Sequence, residues 1–431
     1  MLSAADNDLL CRTGPATPMG QYFRHFWQPA ALASEVAEPD GTPLKVFLLG
    51  EEFLLFRATD GRLGLVEPHC PHRGAHLFWG RNEECGLRCV YHGWKFGVDG
   101  QAMDLPNVPA GSAYHQKIRL RSWPVREAGG IVWAYLGPPE AQPELPAFEF
   151  ARLPAEQRFT TKKLQDCNWA QTIEGALDTS HFSFLHMPAP GVDSNANPDA
   201  PADEKRLRWI REDPMPRFEV LEHEVGFVIG GGRRADGQLY WRTAQFMLPN
   251  HSTTPSTLPG ENYFGYSFVP ISDEKCWVYT YVWNPERALT ADERHKLETG
   301  HGVVAEVGPD FIPLRNIRND YLIDRQAQKT LSFTGVRGVA EQDAMVQESQ
   351  GPIADRTAEN LTATDVGVVA FRRSVMNGAR SLAKGEAPSA AHHAALYHRR
   401  SGSWFAADDV PLDAVMQERF GDARGLVPAR G

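Results

Sequence analysis

The chain is poor in cysteine, has no long apolar run and carries no excess of positive charge. Six cysteines in 431 residues are too sparse for a disulfide framework. No stretch of about 18 apolar residues is available to span a bilayer. With 54 acidic against 44 basic residues, the formal net charge is −10. That balance gives no general attraction to nucleic acid or to an anionic membrane, so neither is expected as a partner. The start, Met1-Leu2-Ser3-Ala4-Ala5-Asp6-Asn7-Asp8, lacks the basic and apolar regions of a secretory signal. A Gly-x-Gly-x-x-Gly fingerprint for a dinucleotide is also missing. The run Gly230-Gly231-Gly232-Arg233 reads instead as a hairpin turn. No internal repeat is found.

What is present is ordinary globular composition, 42% apolar and 23% charged, in a length that suits two domains. The runs Val46-Phe47-Leu48-Leu49 and Phe53-Leu54-Leu55-Phe56 flank Gly50 and Glu51 and predict a strand hairpin. Short strand signals continue to Ile131-Val132-Trp133-Ala134-Tyr135-Leu136, so the first part reads as all-β. The proline- and acid-rich stretch from Gly137 to Pro146 reads as a stiff linker, dividing the chain into units 1–145 and 146–431. In the second unit, residues 164–187 have helix-like periodicity and residues 188–205 read as a mobile loop. Strand signals return at Phe218–Ile229, Gln238–Leu248, Tyr263–Val269 and Cys276–Val282. Helical patterning follows at 290–300, near 313–328 and at 364–383. Strands and helices in segregated runs predict an α+β fold. The tail residues His392, His393, His398, Arg399 and Arg400 read as solvated surface.

Three of the cysteines cluster between positions 70 and 89, which suggests metal in a reducing cytoplasm rather than crosslinks. The text there is Cys70-Pro71-His72-Arg73-Gly74, then Cys89-Val90-Tyr91-His92-Gly93-Trp94. A Rieske 2Fe–2S centre takes two cysteines on one iron and two histidines on the other. Each loop offers one of each. A structural zinc site is the competing reading, but zinc fingers place both cysteines before both histidines on a helix, and here the order alternates among strands and turns. Gly74 and Gly93 would let backbone N–H groups approach the cluster sulfides. Cys85 and His69 are bystanders. The paired motif resembles the Rieske ferredoxin-like domain.

A second group sits in Asp178-Thr179-Ser180-His181-Phe182-Ser183-Phe184-Leu185-His186. Histidines five apart do not share a face of an ideal α-helix, but a helix ending near His181 could converge both on one metal. Dioxygen-activating non-haem iron uses two histidines and one carboxylate. Candidates for the carboxylate are Asp320, Asp324, Asp343 and Asp355, and spacing alone does not choose among them.

Over nearly its whole length the sequence resembles the α-subunit of Rieske ring-hydroxylating oxygenases. The stretches Asn168–His186 and Gln342–Arg356 are most similar to the phthalate 4,5-dioxygenase group, which includes phenoxybenzoate and chlorobenzoate dioxygenases. The resemblance implies a Rieske domain followed by a catalytic domain of antiparallel sheet and helices, of the helix-grip type. It implies Cys70, His72, Cys89 and His92 as cluster ligands, and His181, His186 and Asp343 as ligands of a mononuclear Fe(II). It implies Asp178 as an electron-transfer bridge to a cluster histidine, His92 or His72, of a neighbouring chain in a homotrimer or hexamer. It also implies dioxygen as co-substrate and a separate NADH-dependent flavin and iron–sulfur reductase as partner. Within the group, an arginine in a similar strand holds a substrate carboxylate, which falls on Arg242, with Arg206, Arg208 and Arg211 as further candidates. Asp355 and Arg356 read as a structural ion pair. The expected reaction is dihydroxylation of an aromatic carboxylate in aromatic catabolism. The alternatives are monooxygenation or O-demethylation of a substituted aromatic, or a Rieske electron carrier with no catalytic iron.

Overall fold

The computed structural model describes residues 1–109, 111–192, 204–255, 261–420 and 427–428. The N-terminal part is built from small antiparallel sheets. One has the strands Leu44–Leu48, Glu51–Arg57, Leu63–Val66 and Ser122–Trp123. A second has Arg81–Glu83, Gly86–Arg88, Lys95–Phe96 and Ala102–Asp104. A three-stranded sheet of Gln28–Leu32, Ile131–Ala134 and Val125–Ala128 completes it. The expected hairpin is present, but its turn is Leu49-Gly50 rather than Gly50-Glu51. Leu48 pairs with Glu51, and both turn residues have positive φ, 51° and 76°. A two-residue turn of this kind matches strand twist only with positive φ at both positions. Leu54, Phe56, Val66, Leu77, Leu87 and Phe96 form a core of their own, and Cys70 and Cys89 belong to it.

The larger part holds a nine-stranded antiparallel sheet. Its order runs from Arg158–Gln165 through Lys275–Trp283, Tyr263–Ser272, His251–Thr254, Gln238–Met247 and Gly226–Ala235 to Arg217–His223. Val427–Pro428 pairs beyond that edge, and Ser403–Ala406 pairs with Gln238–Met247. The helix Trp169–Leu177 packs against three of these strands and against the helices Val339–Glu348 and Val366–Ala383.

Several sequence expectations need correction. Residues 164 and 165 end a strand, and the helix starts only at Trp169, after Asn168 caps it through Ala170 N–H at 3.0 Å. The Phe218–Ile229 signal is two strands, Arg217–His223 and Gly226–Ala235, with a turn between. Gly230, Gly231 and Gly232 lie inside the second of these strands, not in a turn. The turn is Asp236-Gly237, both with positive φ. The glycines are there for clearance. A Cβ on Gly231 would stand 2.6 Å from Thr179 Cγ2, and one on Gly230 2.7 Å from Leu412 Cδ2. The 313–328 region is no single helix. Asp320, Tyr321 and Leu322 take positive φ, which breaks it into the 3₁₀ segment Ile317–Leu322 and a short helix, Arg325–Thr330. The helices Ala291–Glu298 and Val366–Ala383 match their signals. Most of the stretch read as a mobile loop, 193–203, lies outside the described residues.

The linker and the tail are more firmly attached than their composition suggests. Trp27 Nε1–H donates to the Pro143 carbonyl at 3.0 Å, and Ala147 N–H to the Ala394 carbonyl at 2.9 Å. Arg399 is buried, and Arg400 Nε donates to Glu149 at 2.7 Å, so only the three tail histidines are exposed. The first 27 residues also reach across. Phe23 meets Trp169 edge-on with centroids 4.8 Å apart, and Trp169 meets Phe371 at 5.5 Å. All three belong to the largest apolar core.

Candidate metal centres and the cavity between sheet and helices

The two Cys-His loops have the same local geometry. Cys70 N–H donates to the Ala75 carbonyl and Gly74 N–H to the Cys70 carbonyl, at 2.8 and 2.9 Å. Cys89 N–H donates to Trp94 and Gly93 N–H to Cys89, at 2.8 and 3.0 Å. Gly74 and Gly93 close these turns at φ of 73° and 77°, which glycine adopts at no steric cost. Their own N–H groups are used by the cysteine carbonyls. The loops bring the four side chains together. The His72 and His92 rings lie 4.5 Å apart, and Trp94 stacks on His72 at 4.4 Å. Burial pushes the Cys70 thiol up to about 11, against the pull of the His72 and Arg73 N–H groups, and the neighbouring Cys89 thiol adds to the rise. His92 Nδ1 is buried without a hydrogen-bond partner among the described residues. Buried polar atoms are rarely left so. Two thiols and two imidazoles, one of them with an orphaned nitrogen, fit a cluster ligated at those atoms. His69 packs on His76, whose Nε2 faces Glu52 at 3.1 Å, and Cys85 sits in a turn. Neither joins the group.

The second centre forms where the Trp169–Leu177 helix stops. Asp178 is extended, at φ −90° and ψ 109°, and a single 3₁₀ turn, His181–Ser183, follows. This break turns both histidines toward the helix Val339–Glu348. One donor atom each from His181, His186 and Asp343 lies within 4.8 Å of the others, and among the described residues no other such trio is found. His186 Nε2 and His181 Nε2 are 3.1 Å apart, and they stand 3.1 and 3.7 Å from Asp343 Oδ1. Such convergence of like donors fits a metal ion. The other aspartates are engaged elsewhere or turned away. Asp324 caps the Arg325 helix, Asp355 accepts from Thr357, and Asp320 sits in the positive-φ turn. Nor does Asp355 pair with Arg356. That guanidinium grips Glu174, at 2.9 and 3.0 Å.

Each histidine has a partner at its other nitrogen. Asp178 Oδ2 lies 3.6 Å from His181 Nδ1, while its Oδ1 accepts from Ser180 N–H at 2.7 Å. Burial would raise the Asp178 carboxyl, but His181 and Ser180 hold it at about 2. On the other side, His186 Nδ1 faces Gln342 Oε1 at 2.7 Å. The sequence reading missed Gln342. Its only signal was its place beside Asp343.

His181 and Asp343 open onto a cavity of about 660 Å³ between the sheet and these helices. Its wall is largely apolar and aromatic, with Phe182, Phe264, Tyr266, Phe268 and Val278 among its residues. Arg242 lines it too, although only 4% exposed. Arg242 pairs in register with Gly231, the glycine that admits Thr179, so its side chain shares the face of the sheet that carries the histidine segment. Among the described residues its Nε and Nη1 have no hydrogen-bond partner. Of the other arginines considered, Arg206 is over the Tyr240 ring, Arg208 pairs with Asp236 and Arg211 is exposed. None of the three lines this cavity. Lys163, also missed, does, and donates to the Ala340 carbonyl at 3.0 Å.

Comparison with known proteins agrees with both halves. Residues 26–124 match the Rieske [2Fe-2S] domain, and residues 134–406 match the family described as LigXa C-terminal domain like. The chain is 38% identical over 395 residues to the phthalate 4,5-dioxygenase oxygenase subunit of Pseudomonas putida, covering 90% of this chain and 88% of that one. It is 31% identical over 402 residues to the 5,5'-dehydrodivanillate O-demethylase oxygenase subunit of a Sphingobium strain, covering 90% and 83%. The crystal structure of dicamba monooxygenase bound to dicamba shares the fold at a TM-score of 0.58 and 19% identity, over 84% of this chain and 98% of that one. With two sheet-built loops that present paired cysteines and histidines, and a sheet-and-helix part that gathers two histidines and an aspartate over a cavity, the chain belongs to the Rieske oxygenases, as an oxygenase subunit of the phthalate 4,5-dioxygenase group.

Proposed function

We propose that this protein dihydroxylates an aromatic carboxylate, with dioxygen as co-substrate and electrons from NADH through a separate flavin and iron–sulfur reductase. Cys70, His72, Cys89 and His92 would hold a 2Fe–2S cluster, and His181, His186 and Asp343 a mononuclear Fe(II). When bound, these groups supply one-electron transfer and dioxygen activation.

The observation that carries the substrate reading is Arg242. A buried guanidinium with two unpartnered nitrogens, on the wall of the cavity that reaches His181 and Asp343, is costly unless an anion completes it. Arginine suits a carboxylate because its planar fork makes two parallel hydrogen bonds. The aromatic wall would hold the ring by apolar contact and exclude water from the reacting face. Asp178 fixes the His181 ring from behind. Among the described residues its side-chain hydrogen bonds and ion pairs go to Ser180 and His181, with none to a cluster histidine. This supports a route in which His92 or His72 of a neighbouring copy meets Asp178, and hence a homotrimer or a hexamer.

The test is a screen of mono- and dicarboxylated arenes with NADH and a surrogate reductase. A cis-diol as product supports the reading. Aldehyde released from a methoxylated arene, or a single added hydroxyl, would replace it with demethylation or monooxygenation, a possibility the O-demethylase relative makes concrete. Reduction of the cluster without turnover of any arene would leave only the electron-carrier reading.

A further inference from the structure

We propose that Gln342 is a positioning residue for the iron, fixing the plane of His186 and its neutral tautomer, which donates from Nδ1 and keeps the Nε2 lone pair for the metal. The inference rests on the metal reading of His181, His186 and Asp343 given above. Gln342 is 4% exposed, and both ends of its amide are engaged. Its Nε2 donates to the Val336 carbonyl at 2.8 Å, and its Oε1 faces His186 Nδ1 at 2.7 Å. A carbonyl oxygen can only accept, so the contact with Val336 sets which way the amide points. The oxygen must then face the imidazole, and His186 must carry its proton on Nδ1. That leaves the Nε2 lone pair for a metal, on the side where Asp343 and His181 lie.

The two histidines are thus braced by groups of different charge. His181 has the Asp178 carboxylate at its Nδ1, and His186 has an amide. A carboxylate acceptor draws the imidazole toward its anionic form and makes it a stronger donor, whereas an amide orients the ring with little such effect. The site therefore has one electron-rich histidine, on the side of the proposed electron bridge, and one ordinary histidine. Gln342 directly precedes Asp343 on the Val339–Glu348 helix, so one turn delivers a ligand and the brace of another.

The experiment uses the full chain with its cluster intact and its mononuclear site emptied by a chelator. Co²⁺ affinity is measured by equilibrium dialysis, and the reloaded ferrous site is examined by electron paramagnetic resonance with nitric oxide added. Gln342→Leu should weaken Co²⁺ binding by about 10- to 100-fold, with acid-labile sulfide unchanged. Gln342→Glu keeps an acceptor toward His186 Nδ1 but gives up the N–H donated to Val336, so it should lose less Co²⁺ affinity than Gln342→Leu while altering the nitric oxide signal. Equal Co²⁺ affinity in Gln342→Leu and wild type would overturn the inference. So would an equal loss in Gln342→Leu and Gln342→Glu, which would mark a packing role. A wild-type protein that takes up no Co²⁺ would instead bring down the metal reading, and this inference with it.

Discussion

The guanidinium of Arg242 lies over the ring of Phe182, 4.4 Å from its centroid. The same ring meets His186 edge-on at 4.6 Å, so one aromatic side chain separates the cation of the cavity wall from a histidine of the candidate metal trio. Replacing Arg242 by Met keeps the apolar stem on Phe182 and removes the charge. Loss of a charge-assisted pair should cost about 1.5–3 kcal/mol of binding, so KM for the true substrate should rise roughly ten- to a hundredfold, with both metal centres still loaded. An unchanged KM and product profile would take Arg242 out of the substrate site.

Metal content separates the functional readings most directly. The protein should contain three irons and two acid-labile sulfides per chain, and a chelator should remove one iron before the other two. Cys70→Ala should lose the sulfide and its two irons and retain the third. Two irons in the intact protein would point to a carrier, and zinc without sulfide would point to a structural site.

Asp178→Asn keeps the shape and removes the charge that faces His181. Both centres should load, while transfer of the cluster electron to the iron should slow by about tenfold or more. Rapid-mixing measurement of cluster reoxidation in the presence of substrate reads this rate. A wild-type rate in Asp178→Asn would remove the bridge.

Gly231→Val tests whether the glycine run exists for clearance. Its Cβ would stand 2.6 Å from Thr179 Cγ2, closer than real atoms pack. Either the histidine segment or the strand must move, at a cost of about 1–3 kcal/mol. The urea midpoint should fall, and iron occupancy of the mononuclear site should fall with it. A variant as stable and as fully loaded as wild type would show that the contact is slack.

His251 gives the stability a pH dependence. Its ring sits among Trp133, Phe148 and Tyr397, and burial lowers it from 6.5 to about 3. The folded protein keeps this histidine neutral where the unfolded chain protonates it. Its contribution is therefore full above pH 6.5 and is lost as pH falls from 6.5 toward about 3. The urea midpoint should decline below pH 6.5, and His251→Gln should make that decline shallower. Identical slopes in the two proteins would show that other groups carry the acid sensitivity.

How much of this was legible in the sequence depended on distance along the chain. The cluster loops put Cys and His two or three residues apart, so local spacing was enough to propose them. By spacing, the mononuclear trio was legible only in its histidines. Asp320, Asp324, Asp343 and Asp355 were equivalent on that ground; only the family resemblance pointed to Asp343, and it is the one that the fold brings to the two histidines. Gly230–Gly232 failed for the opposite reason. Three glycines in a row are locally a turn signal, but Thr179 and Leu412, which approach them, come from remote segments. Arg356 was paired with its neighbour Asp355 by adjacency, while the fold delivers Glu174. Glu149 likewise draws Arg400 out of a tail that composition reads as solvent-exposed.

The contacts of Phe23 and Trp169 bear on how such a chain can be recombined with its relatives. The first 27 residues precede the cluster loops in sequence but pack with the catalytic half. A cut near residue 145 would strip that cover from Trp169 and Phe371 and leave an aromatic face wet. Chimaeras that exchange the cluster-bearing part alone should therefore join at two points, one before Gln28 and one after Leu136, leaving the leading helices with their host.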